Sequence, residues 1–331
     1  MQVSRRDLLG AGGILLLGSR ARAQPAGTWP SRPIRLVVSF PPGNGADLVA
    51  RAISPDLSQR LGQPVVVDNR GGAGGVIGVD AVAKAAPDGN TIGMTSLSPV
   101  TIIPALRRRL PYDPVRSLAP ITLTAYGPMI LLVRKDSPIN SVADLIAKAK
   151  ADPDGLTYGS LGTGTISQMV TEAFKAASGA PLREVPYKGS AQALVDLIGG
   201  NITLMFDGVT SAASQIAAGT VKALGVSSLG RHPIVPDVPT LDESGLAPLK
   251  GFEALGWIGM IAPNGTPRPI IDRLQAEVAQ ILQDPRVAQR IRDIGQIVPD
   301  PNTPEQFAAY MQRDLARWSK LASELHIVEN N

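Results

Sequence analysis

Pro33-Ile34-Arg35-Leu36-Val37-Val38-Ser39-Phe40 runs into Pro41-Pro42-Gly43-Asn44-Gly45-Ala46-Asp47, and Leu48, Val49, Ala52, Ile53, Leu57 and Leu61 then share one helical face. An apolar β-branched run, a Pro/Gly turn and a 3.6-residue period read as strand, loop and helix. The pattern recurs. Residues 64–68 enter Arg70-Gly71-Gly72-Ala73-Gly74-Gly75 and another helix, and residues 90–96 read as a third strand after Pro87-Asp88-Gly89. Strands alternating with helices predict an α/β fold with parallel strands.

A second α/β set starts near Pro128, with residues 129–133 as its first strand and Ser141 capping a helix that has Asp144 three residues on. Residues 156–160 lead into Leu161-Gly162-Thr163-Gly164-Thr165 and a helix with Ile166, Met169, Val170 and Phe174. Further strands are predicted at 184–187, 202–206 and 221–226. The proline-rich stretch 233–239 reads as a return crossing, followed by a strand at 257–262 and a helix opened by Thr266-Pro267. Thr303 with Gln306 forms a capping box for a terminal helix carrying Phe307, Tyr310, Met311, Leu315, Trp318 and Leu321. Two Rossmann-like domains joined by a hinge follow, one lobe from residues 24–124 plus 236–331 and the other from 125–235.

The amino terminus reads as a secretory signal. Arg5-Arg6 precedes an apolar stretch at 8–18, and Ala21-Arg22-Ala23 is a peptidase-type ending, so residues 1–23 are expected to be removed. The apolar stretch is far shorter than the roughly 20 residues of a membrane-spanning helix. The twin arginine suggests the Tat route, with Sec export the alternative. The leader also carries most of the basic excess. The whole chain has 32 Lys+Arg against 28 Asp+Glu; removing Arg5, Arg6, Arg20, Arg22 and Asp7 leaves 28 against 27. With near-neutral charge, 4% aromatics and Arg107-Arg108-Arg109 as the one basic run, no nucleic-acid partner is expected.

The chain has no cysteine, which excludes disulfides, thiolate metal sites, a cysteine nucleophile and a lipidated amino terminus. No G-x-S-x-G elbow is present. His232 and His326 have no neighbour at metal-ligand spacing and read as surface residues. No catalytic residue, metal or other cofactor is expected.

What remains is the chemistry of three loops, at 40–47, 71–75 and 159–165. Glycine permits positive φ and close approach, and an opening helix leaves amides unpaired at the positive end of its dipole. Such loops bind anions. None is a Walker loop, and Ile77 stands where G-x-G-x-x-G spacing would need glycine. The plain alternative is a tight turn that packs helix on sheet. Asp207, ending an apolar strand, reads either as a helix cap or as a polar contact from a cleft wall.

Together these loops resemble the Bug-type receptors of tripartite tricarboxylate transporters. The resemblance runs from Trp29-Pro30 to the terminal helix. It rests on the 40–47 loop, Asp68-Asn69-Arg70-Gly71-Gly72-Ala73-Gly74-Gly75 with Ile77-Gly78, Pro87-Asp88-Gly89 and Tyr158-Gly159-Ser160 with Gly162 and Gly164. Tyr187-Lys188-Gly189-Ser190, Met205-Phe206-Asp207 and Pro236-Asp237-Val238-Pro239-Thr240 complete it. It implies the two-lobed periplasmic binding protein fold, type II-like, with a small organic carboxylate held between lobes through amides and water. The implied partners are that solute and the membrane subunits of such a transporter, with the receptor a periplasmic monomer. A ligand sensor feeding a signalling membrane protein is the alternative role, and a periplasmic enzyme a third. The resemblance carries binding roles to Phe40, Pro42, Gly43, Gly45, Asp47 and Ser96 on one side. On the other it carries them to Ser160, Gly162, Thr163, Gly164, Thr165, Tyr187 and Asp207. Asn44 stands where the family usually has glycine and Gln168 where it often has histidine, while Leu161 and Ile166 are less usual. Arg70 and Lys188 are the available cations, and loop amides at 43–45 and 162–165 are expected to hold the carboxylates.

Overall fold

The computed structural model describes residues 29–107 and 109–327. The leader, its twin arginine and the cleavage point after Ala23 lie outside the described residues, as does Arg108.

In chain order the elements are β1 (Ile34–Val38), α1 (Gly45–Leu61), β2 (Val65–Asn69), α2 (Val76–Ala83) and β3 (Thr91–Ser96). One wide helical turn, Ser98–Ile102, continues into α3 (Ile103–Leu106), and β4 (Leu118–Arg134) follows. Next come α4 (Val142–Ala151), β5 (Thr157–Ser160), α5 (Ile166–Ser178), β6 (Arg183–Pro186), α6 (Ser190–Gly199), β7 (Leu204–Gly208), α7 (Val209–Ala217) and β8 (Val221–Val226). The chain ends with β9 (Leu255–Pro263), α8 (Arg268–Gln283), α9 (Pro285–Asp293) and α10 (Pro304–Glu324).

The strands form one path, β2-β1-β3-β9-β4-β7-β5-β6, with β8 also on β4. Only the outer pairs β1–β2, β1–β3, β5–β6 and β5–β7 are parallel, as expected of helix-linked strands. The centre corrects the all-parallel expectation: β9 runs antiparallel to β3 and to β4, and β4 antiparallel to β7 and β8. The cause is β4, which is longer than the five residues read from sequence. Residues 118–128 pair with β9, whereas residues 129–134 pair with β7 and β8. Pro120 and Pro128 hide the first part from a strand reading. The ladder accommodates Pro120 at a register shift between Pro120 and Thr122. One strand therefore threads both halves of the sheet.

Local signals formed as read. Ser141 Oγ accepts the Asp144 N–H (3.0 Å), and Thr303 and Gln306 exchange both bonds of a capping box. Val49, Ile53 and Leu57 of α1 join β1 and α8 in a core confined to the first half, and Ile130, Leu197 and Val209 anchor one in the second. A further apolar cluster spans both halves, from Val37 and Ile103 through Phe174 and Phe206 to Trp257 and Trp318. Trp257 meets Phe307 edge-on with centroids 5.4 Å apart, and a Cβ on Gly259 would lie 2.2 Å from that phenylalanine ring. Truncating such a buried aromatic costs about 3–5 kcal/mol.

His232 is a correction. It is 3% exposed, its Nδ1 accepts the Ile234 N–H (3.3 Å), and its Nε2 has no partner among the described residues. Burial holds this imidazole below its ordinary pKa. The proline-rich stretch around it packs inward: Val235 and Val238 join the second half's core.

Candidate functional site

The first loop is organised by one carboxylate. Asp47, in the first turn of α1, is 1% exposed. Its Oδ2 accepts the Gly43 N–H (2.9 Å), its Oδ1 accepts from Asn69 Nδ2 (2.9 Å), and Arg51 Nε lies 3.0 Å from both oxygens. Asn69 Nδ2 also donates to the Phe40 carbonyl (3.0 Å). Burial pushes the Asp47 pKa up, but Arg51 and the amide donors outweigh it and hold the carboxyl below its ordinary value. Asp47 thus ties together the ends of β1 and β2 and the start of α1. Asn44 caps the helix, its Oδ1 accepting the Ala46 N–H (3.0 Å). Pro42 and Gly43 are exposed, and the Gly45 amide has no acceptor among the described residues.

The loop after β5 is organised differently. Ser160 Oγ donates to Glu184 Oε1 (2.5 Å) and accepts the Gly162 N–H (3.2 Å). Gln168 Nε2 donates to Glu184 Oε2 (3.0 Å), and Gln168 Oε1 accepts the Gly164 N–H (2.8 Å). Thr165 caps α5: its Oγ1 accepts the Gln168 N–H (3.4 Å) and donates to the Gly162 carbonyl (2.7 Å), which its N–H also reaches (3.3 Å). Gly162 and Gly164 take φ of +107° and +78°, a region glycine enters at little strain. Of the amides at 162–165, only that of exposed Thr163 is without an internal acceptor.

Ile103 brings the glycine loops together. A Cβ on Gly74 would lie 2.6 Å from Ile103 Cδ1, and one on Gly164 would lie 2.8 Å from Ile103 Cγ1. A Cβ on Gly75 would crowd Pro99 and Phe40, and one on Gly71 would lie 2.8 Å from Pro41. Ser96 ends β3 opposite Ile258, whose Cδ1 would be 3.5 Å from a Cβ on Gly45. Ile166 reaches Gly256, one residue from the point where β4 changes partners. Phe40, Gly45, Ser96 and the 162–165 loop are therefore grouped around the passage between the two halves.

Three expected contacts are engaged elsewhere. The Tyr187 hydroxyl donates to Asp196 Oδ2 on α6 (2.6 Å); burial and that bond push its pKa up to about 12. Asp207, 1% exposed, accepts from Ser190 Oγ (2.5 Å), Ser211 Oγ (2.6 Å) and the Gly208 N–H (2.9 Å), bracketing the starts of α6 and α7. Burial raises its pKa despite these donors. Arg70 pairs with Asp68 (3.1 Å), while Lys188 is exposed and forms no ion pair among the described residues. Sequence reading missed Glu184, Ile103 and the Ser190/Ser211 pair. Glu184 and Ile103 come from other segments and bear no motif of their own.

An α/β protein in which one strand threads two sheet halves, with glycine loops and helix N-termini facing the passage, is a two-lobed periplasmic binding protein. Residues 49–327 match the family described as the tripartite tricarboxylate transporter family receptor, and the chain belongs to that family. It is 40% identical over 328 residues to a protein encoded between tcbD and tcbE in Pseudomonas sp. strain P51, covering 99% of this chain and 96% of that one. It is 35% identical over 300 residues to BugT of Bordetella pertussis, covering 90% and 91%. Among solved structures, MatC of Rhodopseudomonas palustris with bound malate is 34% identical with a TM-score of 0.77, covering 88% of this chain and 99% of that one. Rpa4515 of R. palustris with adipate is also 34% identical, with a TM-score of 0.79 and coverage of 89% and 97%. Among the described residues no helix is long and apolar enough to cross a membrane, and no cluster of His, Asp and Glu is placed to hold a metal.

Proposed function

We propose that this chain is an extracytoplasmic receptor that captures a small carboxylate-bearing solute between its lobes and delivers it to a tripartite tricarboxylate-type transporter. The observation that carries the reading is the grouping of the Gly45 and Thr163 amides, each without an internal acceptor, around the passage between the sheet halves. Gly45 is the first residue of α1, where the dipole favours an anion, and Thr163 stands two residues before Thr165, the N-cap of α5. The malate and adipate of the two structural relatives set the ligand class. Phe40, Pro42, Gly43, Gly45, Asp47 and Ser96 form one side of the proposed site. Ser160, Gly162, Thr163, Gly164, Thr165 and Gln168 form the other, with Asp47, Asn44 and Gln168 acting through the loops they shape. Tyr187, Lys188 and Asp207 border it.

The lobes are the two sheet halves, with one hinge at Pro128–Met129 in β4. We put the return crossing at Ala254–Leu255, later than the proline-rich stretch, because Leu241 packs on Gly225 and Phe252 meets Phe174 of α5. Export to the periplasm, uptake rather than sensing and the absence of turnover belong to the same reading. Mass spectrometry of solute released from freshly purified, denatured protein tests it, joined to calorimetry with malate and adipate. A released or titrated organic acid is expected; saturation by a nucleotide or a cation instead would overturn the reading.

A further inference from the structure

We propose that Glu184 is a positioning residue of the second loop: it closes a hydrogen-bond circuit that leaves Thr163, of the amides at 162–165, the one without an acceptor among the described residues. The inference rests on the carboxylate-binding reading for its use and on the circuit alone for its geometry. Glu184 is on β6, level with Tyr158 of β5, so its side chain rises on the same face as Ser160 and reaches the first turn of α5. Its carboxylate oxygens accept from Ser160 Oγ on one side and Gln168 Nε2 on the other, with the Tyr158 hydroxyl, which donates to Glu172, also close to it. That second bond sets the Gln168 carboxamide, turning its oxygen to the Gly164 N–H. The first sets the Ser160 hydroxyl, whose oxygen faces the Gly162 N–H. Two glycine amides that would otherwise face a ligand are thereby turned inward. Gln168 gives its acceptor end to Gly164 only while residue 184 offers an acceptor to its Nε2, and Glu184 does so while also taking the Ser160 hydroxyl proton.

The logic makes the circuit reversible by exchange of its partners. Glu184→Leu leaves Gln168 Nε2 and the Ser160 hydroxyl without this acceptor, and Gln168→Glu puts two carboxylates face to face. The double variant Glu184→Gln/Gln168→Glu restores one donor against one acceptor at every link. Amide hydrogen exchange followed by NMR on the full mature chain reads this directly. In either single variant the Gly164 amide should exchange at least about tenfold faster, while Val170, deeper in α5, is unchanged. In the double variant Gly164 should return to within about threefold of the native rate. Thr163 should exchange fast in all four proteins. Native protection of Gly164 in Glu184→Leu, or failure of the double variant to restore it to Gln168→Glu, overturns the proposal. Calorimetry with malate and adipate should show the single variants weakened about tenfold and the double variant recovered. Singles that lose protection yet bind as tightly as the native protein overturn the positioning role. If the native protein binds neither acid while the exchange pattern holds, the ligand class falls and the circuit stands.

Discussion

The loop before α1 and the loop before α5 answer the same requirement with different chemistry. Each holds a glycine at positive φ, each opens a helix, and each is pinned by one carboxylate. In the first, Asp47 has Arg51 one turn along its own helix, so the buried charge is compensated. In the second, Glu184 is met by a hydroxyl and a carboxamide, and its charge is stabilised by neutral donors. The first loop is therefore sensitive to loss of charge pairing and the second to loss of donor–acceptor order. Their steric settings differ as well: a Cβ on Gly43 meets nothing within 4 Å, whereas one on Gly164 meets Ile103.

The largest effect should come where strain and crowding coincide. Gly164→Val places a β-branched residue at φ +78° with its Cβ 2.8 Å from Ile103. We expect about 3 kcal/mol or more of lost stability and no measurable ligand binding, read by urea unfolding and calorimetry. Retention of binding would break the contrast between the loops.

Asp47→Ala should come next. It strands the Gly43 and Asn69 donors and leaves Arg51 with Asn69 Oδ1 but no carboxylate partner among the described residues, for about 2 kcal/mol. The pH dependence separates this carboxylate from Asp207. Asp47 titrates below the ordinary 3.8 when folded, so its stabilisation is present above 3.8 and fades as pH falls through the folded value. Asp207 is raised above 3.8, so its contribution is present below 3.8 and is lost as pH rises through the folded value. Urea unfolding across the acid range should show Asp47→Asn flattening the acid limb and Asp207→Asn flattening the limb above it. Identical pH profiles for the two variants would contradict this assignment.

Gly43→Ala tests conformation without crowding, since its φ is +83° and the space is open. A loss of about 1 kcal/mol and a modest drop in affinity are expected. An effect as large as that of Gly164→Val would mean that the first loop is the tighter one. The smallest change should be Lys188→Ala, an exposed residue without an ion pair among the described residues, with stability altered by less than about 0.5 kcal/mol. Its affinity should fall slightly at low salt and not at high salt. Abolished binding would make a side-chain cation, in place of loop amides, the holder of the ligand.

The first loop is the more local. Asn44 caps the helix two residues on and Asp47 pairs with Arg51 one turn on, although the sequence reading gave Asn44 and Asp47 binding roles only. The second loop's Thr165 cap was local on the same ground. Glu184 was not, because its partners lie 24 and 16 residues away and meet it only when β6 pairs with β5. Asp207 admitted two readings from sequence, cap or ligand contact; the N-cap of α7 is Gly208, and the Asp207 carboxylate instead takes the Ser190 and Ser211 hydroxyls and the Gly208 N–H.

By itself the sequence determined the α/β alternation, the helix caps and the glycine loops, because hydrophobic period, capping chemistry and positive φ are properties of short segments. Tertiary structure alone decided that β4 passes from one sheet half to the other, that Ile103 stands between two glycine loops, and which amides turn inward. Strand pairing and side-chain circuits join residues distant in the chain, and their partners are chosen by packing, which no local window contains.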